Sequence, residues 1–282
     1  MRYSALRAGV NAGLFFALVA VLLGPYAVLL VTMPKKRHLV AQLFFKGCLK
    51  LTGLRLRIVG RPAGDAAMYA ANHSSYLDIP VLGAVIGGGV FVAKSEVADW
   101  PLFGFLARIS RTLFISRNSA DALHQRTLLG TRMNRGSRLI LFPEGTSSDG
   151  SHVKRFKTSL FASLDEIERE AWVQPVSVVY ARDKHGATLS QAHRETFTWF
   201  GDMTLAPHLI NVFGTRGCEV EVRFHQPLCA DAYADRKQLA KSCEHAVSKH
   251  LIDTVGRVEV LTPHTDISAN LLLEPTPVIG ME

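Results

Sequence analysis

The pattern of hydrophobic and polar positions begins with a long uncharged stretch near the N-terminus. Residues 8–34 contain no charged side chain, and residues 11–33 are almost continuously apolar. Since a helix rises about 1.5 Å per residue, about 20 residues cross the hydrocarbon layer of a bilayer. The stretch is therefore predicted to be a membrane-anchoring helix, which Pro25 can kink without preventing insertion. A cleaved signal peptide is disfavoured, because its apolar region would be shorter and no A-x-A cleavage site precedes the basic residues that follow.

The second pattern is amphipathic. Residues 39–51 mix apolar side chains with Lys46 and Lys50, which is typical of a helix lying in the membrane interface. The basic cluster at residues 35–37 is denser than Arg2 and Arg7 before the apolar stretch, so the rest of the chain is expected on the cytoplasmic side of the inner membrane. The two segments could span the bilayer or dip into a single leaflet, and the sequence leaves both arrangements open.

From residue 54 onward, short apolar runs alternate with stretches of helical periodicity. Predicted strands cover residues 54–59, 67–71, 90–93, 113–115, 139–142, 173–180 and 219–224. Predicted helices cover residues 76–86, 101–109, 120–134, 160–169 and 232–252. This alternation predicts an α/β fold with a mostly parallel sheet flanked by helices. The chain is thus predicted to divide into an anchor (1–51), an α/β domain (52–262) and a loosely packed C-terminal tail (263–282).

Composition narrows the possible partners. The 282 residues carry a formal net charge of +8, which suits an anionic partner such as a membrane surface, a phosphate-bearing substrate or nucleic acid. The basic residues are scattered and form no nucleic-acid-binding motif, so nucleic acid is not expected as a partner. The four cysteines have no CxxC or metal-type spacing, which indicates ordinary reduced thiols.

One candidate for chemistry is the HxxxxD arrangement of His73 and Asp78, which lies between a predicted strand and the body of a predicted helix. Histidine suits a general base because its unperturbed pKa lies near neutrality. A carboxylate on the other ring nitrogen would fix the tautomer and stabilise the imidazolium that forms. We expect the two side chains to meet because Asp78 returns to roughly the same helix face as His73. On its own, the spacing would favour a loop histidine and a helix-capping aspartate over a catalytic pair.

The second candidate is the run FPEGT at residues 142–146, directly after another predicted strand. Gly145 can take a positive φ and let the backbone approach a ligand. Backbone amides and the Thr146 hydroxyl could then cradle an oxyanion or phosphate, while Glu144 could either orient a substrate or hold the loop. Ligands of open α/β sheets bind beyond the carboxyl ends of strands, so both motifs are predicted to share one cleft.

Together, HxxxxD followed by FPEGT behind an apolar N-terminus resembles the glycerolipid acyltransferase family, whose type member acylates lysophosphatidic acid. The resemblance covers roughly residues 39–252. It implies that His73 and Asp78 are catalytic and that Glu144, Gly145 and Thr146 belong to the acceptor site. It also implies a phosphate-binding role for Arg117, which follows a short apolar strand, and, less strongly, for Lys94. Guanidinium suits that role because it stays charged and offers two donors at once.

The chain departs from the commonest family pattern after FPEGT. Where many members continue with Arg-Ser, this chain has Ser147, and Asp149 adds a negative charge. The runs TSSDG and FKTSLF, and the later WFGDM with His208, are similar to a bacterial subgroup that includes lyso-ornithine lipid O-acyltransferases. A further family feature, an apolar strand with proline, matches residues 173–176 and is expected near the acyl chain or the sheet edge.

Other classes of protein fit less well. A serine hydrolase is disfavoured because no G-x-S-x-G elbow occurs, and a nucleotide-driven enzyme because no GxxxxGK[ST] run occurs. A metal site is not expected, since HExxH-like clusters are absent. A catalytically silent lipid-binding protein of the same fold would be expected to lack His73 or Asp78.

The sequence therefore predicts a membrane-anchored O-acyltransferase of lipid biosynthesis. It would move a fatty acyl group from acyl-CoA or acyl-carrier protein to the free hydroxyl of a lysolipid. The acceptor is either lysophosphatidic acid or lyso-ornithine lipid, and the residues leave this choice open. No metal or redox cofactor is expected because a thioester is already activated. No nucleophilic cysteine or serine is recognisably poised, which favours direct transfer over an acyl-enzyme.

Overall fold

A computed structural model of the chain describes residues 3–116 and 118–256. Two helices open the fold: α1 (Ala5–Thr32) and α2 (His38–Thr52). The Ser4 hydroxyl caps α1 by accepting a hydrogen bond from the backbone N–H of Arg7, and Pro25 lies inside the helix. By length and composition, α1 could cross a membrane. Gly53 ends α2 with φ +70°, the left-handed conformation that glycine adopts without steric cost.

Eight strands form one sheet. They are β1 (Arg55–Val59), β2 (Met68–Ala71), β3 (Val90–Lys94), β4 (Leu113–Ile115), β5 (Leu139–Leu141), β6 (Trp172–Arg182), β7 (Glu219–Phe224) and β8 (Leu228–Cys229). The order is β1-β7-β6-β2-β5-β3-β4, with β8 pairing on β6. Strands β6, β2, β5, β3 and β4 run parallel, whereas β7 is antiparallel to β6 and carries β1 parallel to itself. The mostly parallel α/β fold expected from the sequence is confirmed.

Helices flank both faces of this sheet. They are α3 (Asp78–Val85), α4 (Phe103–Ile109), α5 (Ala122–Asn134), α6 (Gln191–Arg194), α7 (Leu205–Gly214) and α8 (Arg236–Val255). Short 3₁₀ helices cover Ser95–Asp99, Ser119–Asp121, Thr158–Glu166 and Ala230–Ala232. One buried cluster joins the sheet to α2, α3 and α7, and a second joins the opposite face to α5 and α8.

The N-terminal helix packs against the domain along part of its surface. Phe15 and Val19 of α1 are buried in a cluster with Cys48 of α2 and Phe213 of α7. The Asn11 side chain donates to the carbonyl of Phe213 at 2.9 Å, and the Tyr26 hydroxyl donates to the carbonyl of Ile109 at the end of α4. Helix α1 is thus hydrogen-bonded to the α/β domain in both its N-terminal and its C-terminal half.

Several sequence predictions differ from the structure. An α-helix was predicted over residues 160–169, but the 3₁₀ helix Thr158–Glu166 lies there instead. Within it, the Ser163 hydroxyl donates to the carbonyl of Leu160, three residues back. Helix α8 starts later than predicted, because the Asp235 side chain caps it by accepting from the N–H groups of Lys237 and Gln238. Helix α7 was not predicted, and it is stabilised by tertiary packing against α1.

Of the two locations expected for the apolar strand with proline, the sheet edge is wrong, and a position near the acyl chain stays a prediction. Residues 173–176 belong to β6, in the interior of the sheet between β2 and β7, and not at its edge. The Gln174 side chain bonds to the backbone of Ala63, Arg61 and His225, so it ties three segments together. The predicted tail, residues 263–282, lies outside the described residues, and the predicted domain boundaries stay predictions.

Candidate active site

The candidate residues that the structure describes gather at the carboxyl ends of the parallel strands. His73 follows β2, Glu144 follows β5, and Lys94 is the last residue of β3. These strands are parallel neighbours in the order β2-β5-β3, so their carboxyl ends meet at the same edge. This is where open α/β sheets bind ligands.

His73 and Asp78 are joined by a hydrogen bond. The His73 Nδ1 lies 2.9 Å from Asp78 Oδ2, and the two side chains are 20% and 0% exposed. Because the buried carboxylate accepts, Nδ1 carries the proton and Nε2 can accept one. The contact was predicted from a shared helix face, and that explanation is wrong. Helix α3 begins at Asp78, so His73 lies in the preceding turn.

The turn is shaped around the Asp78 carboxylate. Oδ2 also accepts from the backbone N–H groups of Ser74 at 2.8 Å and Ser75 at 2.9 Å. The other oxygen, Oδ1, accepts from the Tyr180 hydroxyl of β6 at 2.8 Å. Asn72 fixes the entry to the turn, since its amide donates to the carbonyl of Val178 and accepts from the N–H of the same residue. Four donors thus compensate a carboxylate that has no contact with solvent.

Glu144 holds the two motifs together. Its Oε1 accepts from the backbone N–H of His73 at 2.7 Å, and its Oε2 accepts from the backbone N–H of Lys154 at 2.8 Å. Of the two roles left open by the sequence, these contacts favour holding the loop over touching a substrate. Burial raises the pKa of Glu144 to about 8, and the two N–H groups oppose that rise.

The ring of His73 rests on the same loop. It stacks on Phe142, the first residue of FPEGT, with ring centroids 4.1 Å apart and planes 20° apart. The backbone N–H of Ser148 donates to the carbonyl of His73 at 3.0 Å. The orientation of His73 is therefore fixed by its ring nitrogen, by its backbone and by one ring face, which leaves Nε2 directed away from these contacts.

Gly145 and Thr146 make the turn after β5. Gly145 has φ +69°, as expected, and a Cβ there would lie 2.6 Å from the Lys157 ammonium nitrogen. Thr146 is exposed. The Lys154 ammonium donates to the carbonyl of Ser147 at 2.8 Å, so two lysines, Lys154 and Lys157, bring positive charge to the loop that lacks the family's arginine. No local sequence pattern predicts that these two lysines lie beside the loop, because their position depends on the chain folding back.

Two acceptor-site candidates remain, Lys94 and Arg117. Lys94 lies at the same edge of the sheet and is partly buried. Arg117 lies outside the described residues. In the described part of the chain, no group of three or more His, Cys, Asp or Glu side chains is arranged to hold a metal ion.

A cluster of aromatic side chains packs beside the turn between His73 and Asp78, and the sequence analysis did not predict it. The Tyr76 hydroxyl lies 2.9 Å from His208 Nδ1, and its ring packs edge-on to Trp199 at 6.0 Å. Trp199 in turn packs edge-on to Trp100 at 5.7 Å, and its backbone N–H donates to the carbonyl of Ser74 at 2.8 Å. The WFGDM run and His208 are therefore folded onto the HxxxxD turn.

Comparison with known proteins shows which family the chain belongs to. The family model described as Acyltransferase matches residues 55–179. The chain is 41% identical over 205 residues to the lyso-ornithine lipid O-acyltransferase of Brucella abortus (strain 2308), covering 70% of this chain and 76% of that protein. It is 30% identical over 225 residues to the 1-acyl-sn-glycerol-3-phosphate acyltransferase of Neisseria gonorrhoeae, covering 78% and 84%.

Among solved structures, the fold is similar to that of the 1-acyl-sn-glycerophosphate acyltransferase of Thermotoga maritima. The TM-score is 0.61 at 19% identity, with 88% of this chain and 93% of that chain covered. At this identity the likeness concerns the fold alone. The sequence relatives carry the assignment: this chain belongs to the acyltransferase family and is an acyltransferase enzyme.

Proposed function

We propose that this protein is a membrane-anchored lyso-ornithine lipid O-acyltransferase with His73 as its general base. The observation that carries the chemistry is the 2.9 Å hydrogen bond between the ring of His73, which is partly exposed, and the fully buried Asp78. Such a pair can remove a proton from a hydroxyl at neutral pH, which acyl transfer to an alcohol requires.

The reaction follows from that pair. His73 Nε2 takes the proton from the acceptor hydroxyl as its oxygen attacks the carbonyl carbon of the acyl thioester. The carbon–sulfur bond then breaks, and the imidazolium returns the proton to the departing thiolate, so an ester and a free thiol result. Asp78 stabilises the imidazolium between these steps. The donor is a thioester, either acyl-CoA or acyl-carrier protein, since both present the same reacting bond.

The acceptor proposal is supported by the relatives and by the charge around the loop. The relative from Brucella abortus is more similar to this chain than the relative from Neisseria gonorrhoeae, at 41% against 30% identity. Lyso-ornithine lipid carries a carboxylate and an amine. The ammonium groups of Lys154 and Lys157 suit the carboxylate, and the Asp149 carboxylate, which is partly exposed, suits the amine.

The membrane proposal rests on the exposed surface of the N-terminal helices. On α1, Phe16 is 62% exposed, Val21 69% and Val28 60%, although all three are apolar. Several large apolar side chains exposed along one helix are typical of contact with a membrane. The catalytic domain would face the cytoplasm at the inner membrane, because the denser basic cluster follows α1.

One assay tests the proposal. The purified full-length protein in detergent is given lyso-ornithine lipid or lysophosphatidic acid, each with acyl-CoA or acyl-carrier protein, and products are identified by mass spectrometry. We expect acylation of lyso-ornithine lipid to be preferred and to fall on the order of 10²–10⁴-fold in His73→Ala. Preferred acylation of lysophosphatidic acid would contradict the acceptor assignment, and near-native turnover of His73→Ala would contradict the mechanism.

A further inference from the structure

The two oxygens of the Asp78 carboxylate accept hydrogen bonds from different parts of the chain. Oδ2 accepts from His73 Nδ1 and from two backbone N–H groups of its own turn. Oδ1 accepts from the Tyr180 hydroxyl, which comes from β6, 102 positions further along the chain. Asp78 is 0% exposed and Tyr180 is 1% exposed, so bulk solvent does not reach this hydrogen bond.

We propose that Tyr180 is a positioning residue of the acyl transfer reaction: its hydroxyl holds the Asp78 carboxylate in the orientation and ionised state that His73 requires. The inference rests on the proposed roles of His73 and Asp78 and adds a third member to that pair. Tyr180 touches neither His73 nor a reacting atom, so it acts through Asp78.

The surroundings of Tyr180 fix its ring in place. The ring stacks on Phe197 with centroids 5.9 Å apart and planes 7° apart. The backbone carbonyl of Tyr180 accepts from Nε of Arg194, a guanidinium that is 2% exposed and also bonds to Gln191 and the carbonyl of Leu189. A ring held from both its face and its backbone presents the hydroxyl in one position.

The hydroxyl also remains a donor at all working pH values. Burial and the Asp78 carboxylate raise the pKa of Tyr180 well above its ordinary value. Other titratable groups around this pair come from several elements. His73 bonds to Asp78 from the turn, Glu144 acts on Asp78 from the loop after β5, and Cys218 acts on Tyr180 from the segment before β7. Burial keeps the pKa of the Cys218 thiol high, so it stays neutral.

The direction of the expected effect follows from this arrangement. A hydrogen bond to a carboxylate favours its charged form. Without the Tyr180 donor, the buried charge of Asp78 is less well compensated, and the His73–Asp78 pair binds a proton more readily. Because the two groups are coupled, the change appears in the titration of the pair, whichever member holds the proton. The acid limb of the pH–rate profile should therefore move to higher pH.

The test compares Tyr180→Phe with Tyr69→Phe in the full-length protein. Both substitutions remove one oxygen from a tyrosine that is at most 1% exposed in the same core cluster. The Tyr69 hydroxyl, however, donates to the carbonyl of Ala63 and not to Asp78. We expect Tyr180→Phe to lower kcat about 3–30-fold with little change in acceptor KM, and to move the acid limb upward by roughly half to one pH unit. Tyr69→Phe should change neither quantity.

A second readout keeps the inference separate from the choice of substrate. The ring signals of His73, assigned by their loss in His73→Gln, are followed by NMR as pH is varied. Their titration midpoint should rise in Tyr180→Phe. It should fall when a difluorinated tyrosine, a stronger donor of nearly the same shape, replaces Tyr180. Midpoints unchanged in both would overturn the inference, even if acyl transfer proceeds. Absence of acyl transfer in the wild type, with the midpoints shifted, would instead contradict the proposed function.

Discussion

The carboxyl group of Glu144 accepts a hydrogen bond from the backbone N–H of His73 at 2.7 Å, which joins the two sequence motifs directly. The second oxygen of the same group accepts from the N–H of Lys154. Glu144 is 3% exposed, so it is buried behind the turn that carries His73 and does not line an open cleft. Through Glu144, the FPEGT run therefore holds the backbone of the turn that carries His73, and this contact is called the clamp below.

The first prediction concerns this clamp. Glu144→Gln offers one oxygen where two N–H groups need acceptors, so its amide group must face one of those donors. We expect kcat to fall on the order of tenfold or more, because His73 loses its fixed backbone position. Steady-state kinetics with the preferred lysolipid measures the effect. A variant with native kcat would mean that the clamp does not influence the reaction.

The same substitution should alter the pH dependence of stability. Since burial raises the pKa of Glu144 to about 8 from 4.5, the folded protein binds more protons than the unfolded chain between those values. The free energy of unfolding contributed by this group therefore falls as pH rises through that interval. His225 acts in the opposite direction, because burial lowers the pKa of its ring from 6.5 to about 4. Its contribution to the free energy of unfolding therefore rises with pH between about 4 and 6.5 and is nearly constant above pH 6.5. Thermal midpoints between pH 6.5 and 8 should decline in the wild type and decline less in Glu144→Gln.

The second prediction separates orientation from proton transfer. Asp78→Asn can keep much of the geometry, yet it cannot stabilise an imidazolium and can hold the wrong tautomer of His73. We expect a strong loss of kcat, with acceptor KM little changed, and a loss no larger than that of His73→Ala in the same assay. If instead KM rose at an unchanged maximal rate, Asp78 would be a substrate contact.

Much of this fold could be predicted from local sequence pattern, while the supports of the site could not. The strands Leu113–Ile115 and Glu219–Phe224 have the predicted bounds, because short apolar runs between breakers define buried strands well. The contact between His73 and Asp78 was predicted, but its cause was not, since a turn closed by backbone N–H groups leaves no periodic signal. Tyr180 was missed because its partner is distant in sequence, and only the sheet order brings β6 beside β2.

The third prediction concerns the acceptor and Arg117, which lies outside the described residues. A phosphomonoester carries close to two negative charges at neutral pH, so loss of a bidentate arginine should weaken its binding severely. Lyso-ornithine lipid has no phosphate and should depend on Arg117 less. Initial rates of the wild type and Arg117→Ala are compared on both acceptors. Equal, high wild-type rates with identical losses would show that Arg117 does not discriminate between them.

The last prediction concerns the exposed apolar face of α1. Val21 and Val28 are 69% and 60% exposed, whereas Val19 of the same helix is buried against the domain. An acidic side chain within the hydrocarbon layer costs about 2.5–3.5 kcal/mol, so Val21→Asp with Val28→Asp should weaken membrane binding without disturbing the packed face.

The matched control for this surface is Leu123→Asp. Leu123 is 71% exposed, but it lies on α5 on the other side of the sheet. Flotation with vesicles and fractionation of cell membranes measure the bound share of each variant. We expect the α1 double variant to appear in the soluble fraction and Leu123→Asp to remain with the membrane, while both keep the native thermal midpoint in detergent. Equal membrane binding by the wild type and the α1 double variant would contradict the assignment of α1 as the anchor. Equal losses of membrane binding in the two variants would also contradict it, because a charge at any exposed apolar position would then weaken binding.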